Sequence, residues 1–273
     1  MSDTEPAIPD PRAEWESAKP PLCGVWISPE GAASLAMADG DGPRKITRTA
    51  FQPFAWTTES AQPDPANARC ERLEGEGQLT HLAHFADVAA YRAWQEQRPR
   101  NADSESLRSL ESQFLLQRAA RLFSGLTLSH LRRVQVDIET GCGEPGGFSD
   151  ASRAGDRVLA IGIGTAQGPR LLELKAMTHE AERELLEEFN RVLAEEDPDV
   201  IEGHNIFKFD FDYLRTRCRR FKVPCAWGRF GREASFRPSR LRVAERQLDF
   251  PRYDLPGRTV FDTYLMVQLY DLA

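Results

Sequence analysis

The sequence predicts an α/β protein with a mixed sheet and flanking helices, preceded by a smaller β-rich domain. Two observations carry that prediction. From about Pro21 to Pro99, short alternating apolar runs are interrupted by Gly, Pro and Asp, as expected of short strands joined by turns. From Leu126 onward a strand meander comes first, and then helical periodicity alternates with short apolar runs, an order that builds a sheet covered by helices.

The elements follow in order. Residues 1–19 are rich in Pro and acids and read as a disordered tail. Residues 20–125 form the β-rich domain, with strands such as Gly24–Ile27 and a Phe51–Trp56 run. It is expected to close with a helix over Ser104–Phe123, because Leu107, Leu110, Phe114, Leu115, Ala119 and Leu122 make one stripe before Gly125. In the second domain, 126–273, Val134, Val136 and Ile138 alternate with Gln135, Asp137 and Glu139, so the two sets project to opposite faces of a strand. A Gly-, Ser- and Asp-rich loop spans 141–156, and two strands flank the Gly168-Pro169 turn. A helix from about Glu180 to Glu195 buries Leu185, Leu186, Phe189, Val192 and Leu193. A strand at Asp199–Glu202, a helix over Phe209–Phe221 and a strand at Thr259–Phe261 complete the order of a ribonuclease H-like fold.

Composition sets the outer bounds. With 273 residues, 41% hydrophobic and 28% charged, the chain has ample material for one large core or two modest ones. No apolar run approaches the roughly 18–20 residues of a membrane span, and the first residues lack the basic and apolar stretches of a signal peptide. Five cysteines form no CxxC pair and read as reduced thiols of a cytoplasmic protein. The net charge of −7 is unevenly spread: Glu173–Asp212 carries a local −9 and Arg215–Arg246 a local +9. An acidic centre beside a basic rim suits a metal site serving a polyanion. Two oppositely charged solvated faces would give the same count.

Two motifs carry chemistry. Asp137-Ile138-Glu139-Thr140 ends an apolar strand with two carboxylates on one face, where like charges repel unless a cation sits between them. Two exposed acids at a strand edge would look the same. About seventy residues later, His204-Asn205-Ile206-Phe207-Lys208-Phe209-Asp210 places a third carboxylate where a strand gives way to a helix. That Asp also suits a plain helix amino-terminal charge.

Taken together, the motifs resemble the first and second exonuclease motifs of the family B DNA polymerases, within the DEDD group of 3′–5′ exonucleases. The resemblance implies Asp137, Glu139 and Asp210 as catalytic metal ligands, and Asn205 and Phe209 as residues that seat the 3′-terminal nucleotides. It implies a two-metal site for Mg²⁺ or Mn²⁺, single-stranded DNA 3′ ends as substrate, and a polymerase module or replication proteins as partners. Gly257-Arg258-Thr259-Val260-Phe261-Asp262 is similar to the family's Gly-Arg-x-x-x-Asp strand. Arg217, Arg219, Arg220 and Lys222 are candidate phosphate contacts, or members of a salt-bridged helix. The three carboxylates are expected to converge in one metal-binding cluster.

The family's third motif, Tyr-x-x-x-Asp, has no counterpart, because no Tyr in this sequence has an Asp four residues later. The fourth acid is therefore absent, the second ion site is expected to be short of ligands, and an inactive nucleic-acid-binding fragment is the alternative. Asp262 and Asp271 could substitute, although the resemblance makes Asp262 structural. Polymerase palm motifs are absent as well. His81-x-x-His84 has the spacing of half a metal site but no nearby Cys, and reads as an ordinary loop or helix. His204 is expected to pack or hydrogen-bond rather than act as a base.

Overall fold

The computed structural model describes residues 20–270 apart from 41, 98–102, 145 and 244. The tail expected over 1–19, and Asp271, lie outside the described residues. The chain divides into two compact units at Gly125 and Leu126.

The first unit holds two sheets. Strands β1 (Leu22–Ile27), β2 (Ala32–Met37) and β3 (Lys45–Ala50) form an antiparallel meander. Strands β4 (Phe54–Thr57), β5 (Ala68–Arg72), β6 (His81–Phe85) and β7 (Ser104–Glu105) pair in the order β5-β6-β4-β7. Helices α1 (Val88–Gln97) and α2 (Leu110–Gln117) complete it. Val25, Ile27, Leu35 and Met37 pack with Phe51 and Phe114 in one core, and Ala55, Ala83, Phe85 and Tyr91 form another.

The helix expected over Ser104–Phe123 is shorter. Ser104–Glu105 is a strand, Ser109 caps α2 by accepting the Ser112 N–H, and Ala119 turns left-handed at φ 48°. The apolar stripe misled because Leu122 packs on the same core from outside the helix. Within α2 the buried Gln113 accepts the Phe54 N–H at 2.9 Å and donates to the Tyr91 hydroxyl at 2.9 Å. His81 and His84 sit three apart on β6, so they project to opposite faces. His81 meets Thr80, and His84 meets Glu71.

The second unit is built on one mixed sheet. Strands β8 (Arg133–Gly141), β9 (Arg157–Thr165) and β10 (Gly168–Glu173) form a meander in which β9 runs antiparallel to both neighbours. Then come α3 (His179–Glu196), β11 (Val200–Gly203), α4 (Asp210–Phe221), the two-stranded ribbon β12 (Ser235–Val243) and β13 (Arg246–Asp254), β14 (Thr259–Asp262) and α5 (Thr263–Tyr270). The sheet order is β10-β9-β8-β11-β14, with β11 parallel to both neighbours.

Helix α3 forms because its apolar residues recur every three to four positions and Thr178 caps it by accepting the Ala181 N–H. It ends where Asp197 adopts a left-handed φ of 40°. Its buried Leu185, Leu186, Phe189, Val192 and Leu193 meet Val134, Val136, Ile138 and Ile161 in the main core. Each such side chain stabilises the fold by about 1.5–3 kcal/mol.

The amino ends of the parallel strands are tied by arginines. Buried Arg229 donates to Asp197 at 2.7 Å, to Asp199 at 3.1 Å and to the carbonyls of Pro198 and Gly257. Arg258 reaches the carbonyls of Leu193 and Trp227, and Arg132 those of Glu196 and Asp197. Burial, with Arg229 beside it, lowers Arg258 to about 10, which leaves it charged at neutral pH. The arginine of the Gly-Arg strand therefore holds the sheet together.

The ribbon β12–β13 is an element the sequence pattern does not announce. Pro238 sits opposite Pro251 and Arg237 opposite Arg252. Prolines argue against interior strands, but a two-stranded ribbon has outer edges on which a missing N–H costs nothing. Asp254 accepts from both Arg237 and Arg252 and so offsets the like-charge pairing.

Candidate active site

Strand β8 delivers the first two acids. Val134, Val136 and Ile138 are buried, while Gln135, Asp137 and Glu139 are exposed on the opposite, open face. Strand β11 pairs with β8 only from Arg133 to Gln135. Beyond that point the main chain of β8 is free to meet the start of α4, and Asp210 accepts the Ile138 N–H at 3.1 Å.

The turn that places Asp210 is constrained at several points. A side chain at Gly203 would put its Cβ 2.8 Å from Ile206 and 2.9 Å from the Val136 carbonyl oxygen, so the turn packs directly against β8. Asn205 takes a left-handed φ of 62°, and its carbonyl accepts the N–H groups of Lys208 and Phe209. Asp262, at the end of β14, accepts N–H groups from Asn205 (3.0 Å), Phe207 (3.2 Å) and Tyr264 (2.9 Å). Asp262 is thus a clasp across the turn, and its oxygens are committed to main-chain donors.

Asp210 is 1% exposed. Burial, with the negative charge of Asp137 adding to it, pushes its carboxyl up to about 6, against its own N–H and that of Ile138, which favour the charged form. Asp137 and Asp210 therefore share a neighbourhood in which, among the described residues, no cationic side chain pairs with either carboxylate. Among the described residues, no group of three or more His, Cys, Asp or Glu side chains is disposed to hold an ion. This corrects the expectation that all three carboxylates converge. Like charges repel, Asp210 is drawn to the Ile138 N–H, and β8 shifts register between Glu139 and Thr140. The donor chemistry still fits Mg²⁺ or Mn²⁺, since hard divalent ions take carboxylate oxygens.

Phe209, 40% exposed, packs its ring 5.9 Å from Tyr213. The Tyr213 hydroxyl meets Ser149 at 2.7 Å, which ties the 142–156 loop to α4. His204 is exposed, meets Thr263 at 3.2 Å and sets its ring edge-on to Tyr264.

Arg217 requires a second correction, because it is fully buried and cannot contact phosphate. Its guanidinium makes a bidentate pair with Glu182 at 2.7 Å for both bonds, and donates to the carbonyls of Ala151 and Arg153. The signal was present in the sequence: Arg217 lies between Leu214 and Phe221 on the apolar stripe of α4, and Glu182 begins the stripe of α3. Charges on two apolar stripes predict a buried pair. Arg219 and Arg220 are exposed, about 14 Å along the helix axis from Asp210.

A profile of the family B DNA polymerase exonuclease domain matches residues 116–270. The chain belongs to the family B DNA polymerases, through their exonuclease domain. A DNA polymerase of Thermococcus kodakarensis is 30% identical over 151 residues, 52% of this chain and 9% of the relative. The DNA polymerase delta catalytic subunit of Dictyostelium discoideum is 36% identical over 98 residues, 33% of this chain and 8% of the relative. The solved structure of the family B DNA polymerase of Pyrobaculum calidifontis superposes with a TM-score of 0.62 at 19% identity, covering 90% of this chain and 36% of that one. The match to each of these family B polymerases takes in only a minor part of its length. Membership in the family agrees with the α/β fold and with the exonuclease motifs. Among the described residues, no helix is long and apolar enough to cross a membrane.

Proposed function

We propose that this exonuclease domain acts on single-stranded DNA, removing nucleotides from 3′ ends, with Asp137, Glu139 and Asp210 as the ligands of catalytic divalent ions. The observation that carries the proposal is the pairing of exposed Asp137 with buried Asp210, two uncompensated acids at the carboxyl end of the sheet. Perturbed carboxyls in such a place are a signature of functional sites. Mg²⁺ or Mn²⁺ bound there would supply Lewis-acid stabilisation of the phosphoryl oxygens and a more acidic water.

The residues of the chain do the rest. Phe209 offers an exposed ring on which a terminal base can stack, and Asn205, held left-handed beside it, offers its amide. Arg219 and Arg220 would meet phosphates further along the strand. The polymerase module and replication proteins are the proposed partners, and the free thiols suit a cytoplasmic setting.

A second reading, nucleic-acid binding without cleavage, is favoured by the lack of a closed three-donor cluster among the described residues. One experiment separates the two. A 5′-labelled single-stranded oligonucleotide is incubated with the chain and Mg²⁺ or Mn²⁺, beside the Asp137→Ala variant. Stepwise shortening from the 3′ end that the variant lacks supports the exonuclease. Binding with no shortening under either ion supports the second reading, and cutting of circular single strands would contradict both.

A further inference from the structure

Gly162 occupies the middle of β9 without an internal reason for being glycine. Its backbone is not left-handed, and a Cβ built there would meet only the Asp137 carbonyl oxygen, at an ordinary 3.8 Å. Gly203 and Gly228 differ, because a Cβ would come within 2.8 Å of Ile206 and 2.6 Å of the Arg232 carbonyl oxygen respectively. The fold excludes a side chain at those two positions and tolerates one at Gly162. A glycine inside a strand costs roughly 0.5–1 kcal/mol relative to Ala, and away from bulges and tight bends it often marks a place where a ligand or another backbone approaches closely.

Its position identifies that molecule's path. Gly162 lies directly opposite Asp137 on β8 and directly opposite Leu171 on β10. Residues directly opposite in a sheet share a face, and on this open face Asp137 is exposed and Leu171 is 64% exposed. Neighbouring strands lie about 4.8 Å apart, so Asp137 and Leu171 flank Gly162 across about 10 Å. The row leaves bare main chain at Gly162 between an acid on one side and an apolar side chain on the other.

We propose that Gly162 is a positioning residue, and that the sugar–phosphate backbone of the terminal nucleotide lies flat on the main chain of β9 there. This proposal rests on the exonuclease reading and deepens it. A side chain at 162 would lift the scissile phosphate away from Asp137, and Leu171 meets the sugar from the other side.

The test uses the full 273-residue chain, its Gly162→Val and Gly162→Ala variants, and an octathymidylate carrying 2-aminopurine at its 3′ end, titrated in Ca²⁺. Fluorescence of the terminal base reads its seating, and thermal melts read the fold. Expected are a tenfold or greater loss of affinity for Gly162→Val and about threefold for Gly162→Ala, with melting temperatures at or above that of the parent. If Gly162→Val does not fold, Gly162→Ala decides alone. Affinities within the scatter of the parent's value, in a folded variant, overturn the proposal while leaving the exonuclease reading in place. No response of the terminal base with the parent chain removes the reading and this proposal with it.

Discussion

The two ends of the parallel strands β8, β11 and β14 treat charge in opposite ways. At the amino ends, Arg132, Arg229 and Arg258 face Asp197, Asp199 and a set of main-chain carbonyls, and the ions are paired or hydrogen-bonded. At the carboxyl ends, Asp137 and Glu139 stand on an open face, and Asp210 is buried beside Asp137 with only main-chain N–H groups, its own and that of Ile138, to support it. The first arrangement holds strands together, and removing one partner leaves a charge stranded in the core. The second stores unfavourable electrostatics in a rigid frame, as sites that await a cation do. Within one sheet, saturation of charge separates structure from function better than burial does, because both ends contain buried ions.

The largest effect should come from breaking the saturated end. Arg229→Met removes five hydrogen bonds from Asp197, Asp199 and three carbonyls, and should cost about 3–5 kcal/mol of stability. A urea titration would read this as a lower midpoint at an unchanged slope. Arg217→Met should act in the same direction with a smaller loss, because fully buried Glu182 keeps Arg157 at 3.5 Å and the Val158 N–H at 3.1 Å. Retention of parental stability in either variant would undo the contrast between the two ends.

At the unsaturated end the sign reverses. The Asp210 carboxyl holds its proton up to about pH 6 in the fold, but only to about 3.9 in an unfolded chain. The folded state therefore binds more protons between those values, and stability falls as pH rises through that window. Above pH 6 the ionised carboxylate costs the fold on the order of 2–3 kcal/mol. Asp210→Asn should raise the melting temperature at pH 8, leave it nearly unchanged at pH 4, and lose divalent-ion binding. Protons should likewise compete with Mg²⁺ in the parent chain below pH 6, visible by calorimetry. A destabilised Asp210→Asn at pH 8 would place Asp210 with the saturated ions.

The sequence made the sheet and the three acids legible because both rest on short-range pattern. Alternation along β8 puts Asp137 and Glu139 on one face, and periodicity defines α3. The fate of Arg217 depends on Glu182, 35 positions away, and local charge counting put Arg217 with the exposed arginines. The β12–β13 ribbon escaped because its stability comes from cross-strand ion pairs and from Tyr253 bonded to Asp212, with little apolar alternation. A closed cluster of Asp137, Glu139 and Asp210 is not seen among the described residues, since a shared strand face sets direction and not distance.

The smallest effect sharpens the comparison from outside the sheet. Arg219 and Arg220 end α4, exposed to solvent, and the carbonyl of Arg219 caps the helix by accepting the Lys222 N–H. Their charges are set favourably against the helix dipole, a contribution of at most about 1 kcal/mol each, so reversing both to Glu should lower stability only slightly. If they meet phosphate, single-strand affinity should fall several-fold for every sequence tested. The decisive quantity is the dependence on salt: two lost contacts on a single strand should flatten the slope of log affinity against log salt by about 1.4. An unchanged slope with weaker affinity would mean that the variant perturbs α4 and, through it, the seat of Asp210. An unchanged slope and affinity would leave these arginines as solvated charge at the carboxyl end of the helix. In that case the exposed arginines of the β12–β13 ribbon, Arg242 and Arg246 among them, become the next positions at which the strand could be held.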